Sequence, residues 1–199
     1  MTDAPAHDDD GYDSEFDALV APTAPISHLP PPSLAPAPAV YPGCCVALSE
    51  ALIGNLGALL PPAPALVVSI GSGSGLFEAL LLAEPCCLSL IGVEVQPSVN
   101  RYLPSSRHRA VVGTYSLEPL AAEATAWLFV YPRRVGLVDE YLATYGEGAV
   151  QTVMWIGPTA DWQDYKACFG RGWDVRVTCA DEMGGRAWEV VAVATKTPP

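Results

Sequence analysis

The 199-residue chain reads as an α/β protein built on a doubly wound, mostly parallel sheet that closes with an antiparallel hairpin. Three observations predict this class. From about residue 65 to 168, apolar runs of strand length alternate with runs whose apolar residues recur at helical spacing. The first strand-like run, Leu66-Val67-Val68-Ser69-Ile70, breaks abruptly into the alternate glycines Gly71, Gly73 and Gly75. The last two strand-like runs, near 173–178 and 187–194, are separated only by a short loop carrying Gly184-Gly185, so they should pair with each other.

In order along the chain, residues 1–39 are Asp-rich and then Pro/Ala-rich, with Pro30-Pro31-Pro32, Pro36 and Pro38 keeping the backbone extended. We expect a disordered arm there, whose Tyr12, Phe16, Leu19 and Val20 could dock on a partner, and a folded domain over 40–199. The pattern Val46, Leu48, Leu52, Ile53, Leu56, Leu59, Leu60 predicts a helix that Pro61-Pro62 ends. A strand over 65–70, a helix over 75–84 and a strand over 88–94 come next. Short helices are expected at 97–103 and 116–124, flanking a strand over 109–113. Ala126-Trp127-Leu128-Phe129-Val130-Tyr131 is the fourth strand, Val135 to Tyr145 its helix, Val150 to Ile156 the fifth strand, and 161–168 a last helix.

Composition narrows the function classes. Half the residues are apolar and 16% are charged, enough to build one substantial core. The formal charge of -12 divides unevenly: Asp3, Asp8, Asp9, Asp10, Asp13, Glu15 and Asp17 supply seven units in a stretch with no Lys or Arg. An acidic body does not suit an extended direct contact with nucleic acid, so a small-molecule or protein substrate fits better. Cys44-Cys45, Cys86-Cys87, Cys168 and Cys179 have no C-x-x-C spacing, and His7, His28 and His108 stand at no ligand spacing to them. Reduced thiols and no metal are expected. No apolar run approaches a membrane span and the N-terminus has no signal-peptide pattern, which points to cytoplasm or nucleus.

The glycine turn carries the chemistry. Alternate glycines after a buried strand let backbone approach a ligand, and Glu94 closes the next strand nineteen positions after Gly75, where a ribose could offer it two hydroxyls. The dinucleotide pattern G-x-G-x-x-G fails at Leu76. The short-chain dehydrogenase pattern fails at Phe77 and at both lysines, where Trp162 and Ala192 occupy the tyrosine's place. No Gly-Lys-Ser/Thr occurs for a Walker-type phosphate loop.

The remaining pattern, strand, x-G-x-G-x-G and an acid ending the next strand, resembles the class I S-adenosylmethionine-dependent methyltransferase superfamily. The resemblance covers roughly 40–199. It implies a three-layer Rossmann-like fold with a seven-stranded, mostly parallel sheet, S-adenosyl-L-methionine as cofactor, and methyl transfer as activity. By it, Gly71, Ser72, Gly73, Ser74 and Gly75 would cradle the amino-acid portion of the cofactor and Glu94 would take the ribose. Ser69 stands where the superfamily usually has an acid that helps hold the cofactor's ammonium group.

Ligands of open alternating sheets lie outside the carboxyl ends of the strands, so the residues just beyond each strand are the remaining candidates. Thr114 could hydrogen-bond and Tyr115 could stack on an adenine, although a turn threonine and a core tyrosine read equally well. Tyr131-Pro132-Arg133-Arg134 falls where amine-methylating members carry Asn/Asp-Pro-Pro-Tyr and shares only the proline. The amine mechanism therefore does not transfer, and Arg133 and Arg134 suggest an anionic group on the substrate or cofactor, or else cap the following helix region and face solvent. Trp155 and Trp162 offer aromatic faces to a sulfonium or substrate, or else belong to the core. Tyr131 and Asp161 are the candidate catalytic side chains, and Tyr41-Pro42-Gly43 lies where related chains close over the cofactor.

Two functions lead, beside a third reading in which an enzyme of this fold does other chemistry such as a cyclisation. One is a methyltransferase of unnamed substrate working mainly by alignment for in-line transfer. The other, favoured by Ser69, is a catalytically silent member kept as a binding or scaffold module. No cap domain is inserted, so the substrate face should be open to the arm, a second subunit or a protein partner.

Overall fold

The computed structural model describes residues 28–198. Its centre is one seven-stranded sheet in the order β3-β2-β1-β4-β5-β7-β6. The strands are β1 (Leu66–Ile70), β2 (Ser89–Glu94), β3 (His108–Ala110), β4 (Ala126–Val130), β5 (Thr152–Pro158), β6 (Trp173–Cys179) and β7 (Glu189–Lys196). The first five pair in parallel. β7 inserts antiparallel between β5 and β6, which is the hairpin expected from the C-terminal runs.

Apolar alternation on the central strands decides the layers. Val67, Leu90, Leu128, Met154 and Ile156 face one side, where they pack with α1 (Glu50–Ala58) and α2 (Leu76–Leu82). Val68, Ile70, Trp127, Phe129, Val153 and Trp155 face the other, where α3 (Val135–Tyr145) and α4 (Trp162–Lys166) cover them. Strands covered on both faces have no solvent side to carry polar residues, which is why these runs read as nearly continuous apolar sequence. Tyr141 of α3 meets Trp127 and Phe129 edge-on, with ring centroids 5.9 and 5.8 Å away.

Three expected helices are shorter than their apolar patterns. α1 begins at Glu50 because the Ser49 hydroxyl accepts from the Leu52 amide at 3.0 Å and caps it, while Leu48 pairs in a bridge with Ala39 instead. The 97–103 segment keeps one 3-10 turn, Pro97–Val99. Its Asn100 side chain then bonds the Leu103 amide and carbonyl at 3.0 and 2.8 Å, an alternative to helix continuation. The 116–124 segment keeps only the 3-10 turn Pro119–Ala122, opened by Glu118 accepting from the Leu120 amide.

Residues 1–27 of the expected arm lie outside the described residues. Residues 28–39 lie against the domain. Leu29 donates to the Arg101 carbonyl at 2.9 Å, Ala39 and Leu48 exchange backbone bonds, and Leu34 packs on the core.

Candidate functional site at the carboxyl ends of the strands

The site begins where β1 stops. Gly71, Gly73 and Gly75 have φ of +83°, +53° and +78°, left-handed conformations that side chains with a Cβ rarely adopt. The turn hangs on the next strand, with the amides of Gly71 and Ser72 both donating to the Val93 carbonyl at 2.9 Å. Glu94 completes the link: its Oε2 accepts from the Gly73 amide at 2.9 Å and its Oε1 from the Val95 amide at 2.7 Å. The glycine turn and the strand-end acid, nineteen positions apart, are thus one hydrogen-bonded unit.

The segment before α1 closes the other side. The Ser74 hydroxyl donates to the Gly43 carbonyl at 2.8 Å, which seats residues 43–45 over the turn. A cavity of about 60 Å³ lies between them, its walls including Cys44, Gly71, Ser72, Gly73 and Glu78. Glu78 is 1% exposed. Its Oε1 accepts from the Ser69 hydroxyl at 2.6 Å because β1 alternation turns Ser69 toward α2. Burial raises its pKa to about 7, against the lowering effect of the Ser69 bond. Glu78 Oε2 and Ser72 Oγ, both buried, have no hydrogen-bond partner.

A second, larger cleft of about 450 Å³ lies beyond β4 and β5, bordered by Tyr131, Arg133, Trp155, Asp161 and Tyr165. Cys45 lines both spaces, so they are neighbours. Tyr131 has φ +50°, and it is fixed at both ends. Its amide donates to the Ile156 carbonyl at 2.7 Å and its hydroxyl to Glu189 Oε1 at 2.6 Å. Burial, then the Glu189 carboxylate, hold the phenol proton far above its usual range. Glu189, itself 1% exposed, also accepts from the Ala47 amide at 3.3 Å.

A sheet of five parallel strands, an antiparallel strand inserted before the last edge and a glycine turn at the first carboxyl end decide the comparison with solved structures. The chain has the class I methyltransferase fold. It superposes on precorrin-6y C5,15-methyltransferase from Geobacter metallireducens with a TM-score of 0.58, at 9% identity over 80% of this chain and 93% of that one. The methyltransferase domain of bacterial CtHen1-C aligns with a TM-score of 0.54, at 19% identity over 73% and 97%. Human N-acetylserotonin methyltransferase in complex with SAM aligns with a TM-score of 0.50, at 12% identity over 75% of this chain and 51% of that one. No family model and no curated protein sequence matches the chain.

Within this methyltransferase fold the sequence candidates separate into groups. The 71–75 turn and Glu94 meet, as described. Thr114 and Tyr115 sit in the loop after β3, with Tyr115 74% exposed. Arg134 reaches back to them, its guanidinium 2.8 Å from the Thr114 carbonyl and 4.3 Å from the Tyr115 ring centroid. The same guanidinium forms a two-pronged pair with Glu140 at 2.6 and 2.8 Å, so Arg134 ties two loops together, while Arg133 borders the cleft. Trp155 and Trp162 are 1% and 5% exposed with ring centroids 5.3 Å apart. Both belong to the core under α4, and Trp155 also lines the cleft floor.

Two buried acids escaped the sequence reading. Glu78 interrupts the apolar run Leu76-Phe77-Glu78-Ala79-Leu80-Leu81-Leu82, and Glu189 precedes Val190-Val191. A lone carboxylate inside an apolar run was a readable signal in both cases. Among the described residues no group of three or more His, Cys, Asp or Glu is arranged for a metal, and the described cysteines are free thiols. No helix of the described residues is long and apolar enough to cross a membrane.

Proposed function

We propose that the protein is an S-adenosyl-L-methionine-dependent methyltransferase. The coupling of Glu94 to the glycine turn carries this reading: a carboxylate oriented by the Gly73 and Val95 amides, with the Gln96 amide a longer third at 3.4 Å, still turns a free Oε2 lone pair toward a ligand, as a ribose hydroxyl requires. The residues present fit the cofactor, since the cavity beside the turn is lined by Glu78 and Ser72, each of which carries a buried side-chain oxygen without a hydrogen-bond partner. Gly71 to Gly75 and Glu94 would hold it, and Thr114 and Tyr115, in the loop after β3, would reach its adenine. When bound, the cofactor supplies an activated methyl group on a sulfonium.

The chain's own contribution is alignment and exclusion of water. The acceptor would enter the cleft beyond β4 and β5, next to the cavity across Cys45, with Arg133 offering charge to an anionic group and Trp155 an apolar floor. Tyr131 keeps its proton and is held by Glu189, which suits it to orient an acceptor rather than to remove a proton. Asp161 and Asp164 are the carboxylates that border the cleft, and Asp161 is the one proposed as a base. The open cleft favours a small-molecule or protein acceptor, with the arm or a protein partner available to cover it.

Calorimetric titration of wild type and Gly73→Arg with S-adenosylmethionine and S-adenosylhomocysteine tests the reading. Binding by wild type and its loss in the variant is expected, and an absence of wild-type binding would leave the scaffold function. Turnover lost with cofactor binding intact in Asp161→Asn would identify Asp161 as a base.

A further inference from the structure

Glu78 and Ser72 together make a site that the glycine turn and Glu94 do not account for. Glu78 is a buried carboxylate with one oxygen bound by the Ser69 hydroxyl and the other unpartnered. Ser72, 8% exposed, carries a hydroxyl oxygen that is also buried and unpartnered. Both line the same cavity of about 60 Å³, room for a few heavy atoms at most. A buried carboxylate without a cationic partner is expensive to keep unless a ligand supplies one. No Lys, Arg or His lines the cavity. Without a ligand Glu78 is kept by holding a proton part of the time; a small cation from a ligand would supply the missing partner, and the neighbouring unpaired hydroxyl could donate to an anion beside it.

A small cation and anion on adjacent atoms describe an α-amino-acid head group. Resting on the cofactor reading above, we propose that Glu78 binds the ammonium of the cofactor's amino-acid end and that Ser72 donates to its carboxylate. Ser69 then positions Glu78 by fixing one carboxylate oxygen. The Cys44 thiol lines the same cavity, and burial, then the Glu78 charge, push it up to about 12, so it stays neutral; the Glu94 carboxylate acts on Glu78 from beyond the turn. Near neutral pH a part-protonated Glu78 releases its proton when the ammonium arrives.

The test is calorimetric titration of the full chain with two ligands at pH 6.5, each in phosphate and in Tris. S-adenosylhomocysteine carries the amino-acid end without a sulfonium, and 5'-methylthioadenosine lacks the amino-acid end. Glu78→Gln should weaken S-adenosylhomocysteine about 10- to 100-fold, the usual scale for a lost hydrogen bond to a charged group, and leave 5'-methylthioadenosine unchanged. Ser72→Ala should act in the same direction with a smaller loss. Wild type should show a buffer-dependent enthalpy with S-adenosylhomocysteine that Glu78→Gln lacks.

Equal weakening of both ligands would make Glu78 a structural residue and overturn the proposal, as would S-adenosylhomocysteine binding within threefold of wild type. Failure of wild type to bind either nucleoside would overturn the cofactor reading itself, and this proposal with it.

Discussion

Replacing Glu94 by Gln isolates the contribution of one oxygen. A carboxylate offers about four lone-pair positions. In Glu94 the Gly73 amide takes one position on Oε2 at 2.9 Å, and the Val95 and Gln96 amides approach Oε1 at 2.7 and 3.4 Å, which leaves the second position of Oε2 free for a ligand's hydroxyl and that of Oε1 only weakly engaged. Gln has a single acceptor oxygen. It can satisfy the amides on one side, but its NH2 must then face the other, donor against donor. The variant loses one charge-assisted bond to the ligand, worth about 1.5–3 kcal/mol, or roughly 10- to 150-fold in affinity. Because the ribose is common to S-adenosylhomocysteine and 5'-methylthioadenosine, both should weaken together in Glu94→Gln, in contrast to Glu78→Gln. Calorimetric titration of both ligands reads this, with circular dichroism to show that the variant stays folded. Binding of both within threefold of wild type by a folded variant would refute the assignment of Glu94 to the diol.

Further outcomes follow from the packing. Gly75→Ala should cost about 2–4 kcal/mol in urea unfolding, since a left-handed residue would gain a Cβ about 2.7 Å from Leu103 Cγ and 2.8 Å from Asn100 Oδ1. A change below 1 kcal/mol would mean that the turn relaxes freely. Tyr131→Phe should cost about 1–3 kcal/mol by the same assay, because the buried Glu189 loses its short donor and keeps only the Ala47 amide at 3.3 Å. For Glu78 the pH dependence has a definite sign. Its folded pKa is raised from 4.5 to about 7, so between those values the folded state holds a proton that the unfolded state has lost. Its contribution to stability therefore falls as pH rises from about 4.5 to 7 and levels off above, by at most roughly 3 kcal/mol. Glu78→Gln should remove that fall, so its stability advantage over wild type should be larger at pH 8 than at pH 4.5; equal differences at the two pH values would show an ordinary carboxyl.

The terminal hairpin and the alternation of strands were legible because each rests on local pattern: period-two or continuous apolar runs, and a turn too short for a crossover. Element lengths were less so. The apolar positions at 46–48 and 97–103 fit a helix, but Ser49 and Asn100 compete for the backbone with their own side chains, and which competitor prevails depends on neighbours such as Gly184, whose carbonyl holds the Ser49 hydroxyl at 2.7 Å. Arg134 shows the same limit. Its position after β4 was readable, yet its pairing with Glu140 and its reach to Thr114 bring together loops that chain order keeps apart.

The amino-acid sequence by itself determined that a glycine turn follows a buried strand and that an acid ends the next one. Conformational freedom and strand spacing are properties of the residues and their order. Tertiary structure decided the electrostatics. Only the parallel pairing of β1 with β2 brings Glu94 onto the Gly73 amide, and only the packing of α2 against β1 sets Glu78 against Ser69. The serine that favoured a silent scaffold in the sequence is, in the fold, hydrogen-bonded to a carboxylate. Charge acts through space, and residues nine apart in the chain become neighbours only when a helix returns across its own strand.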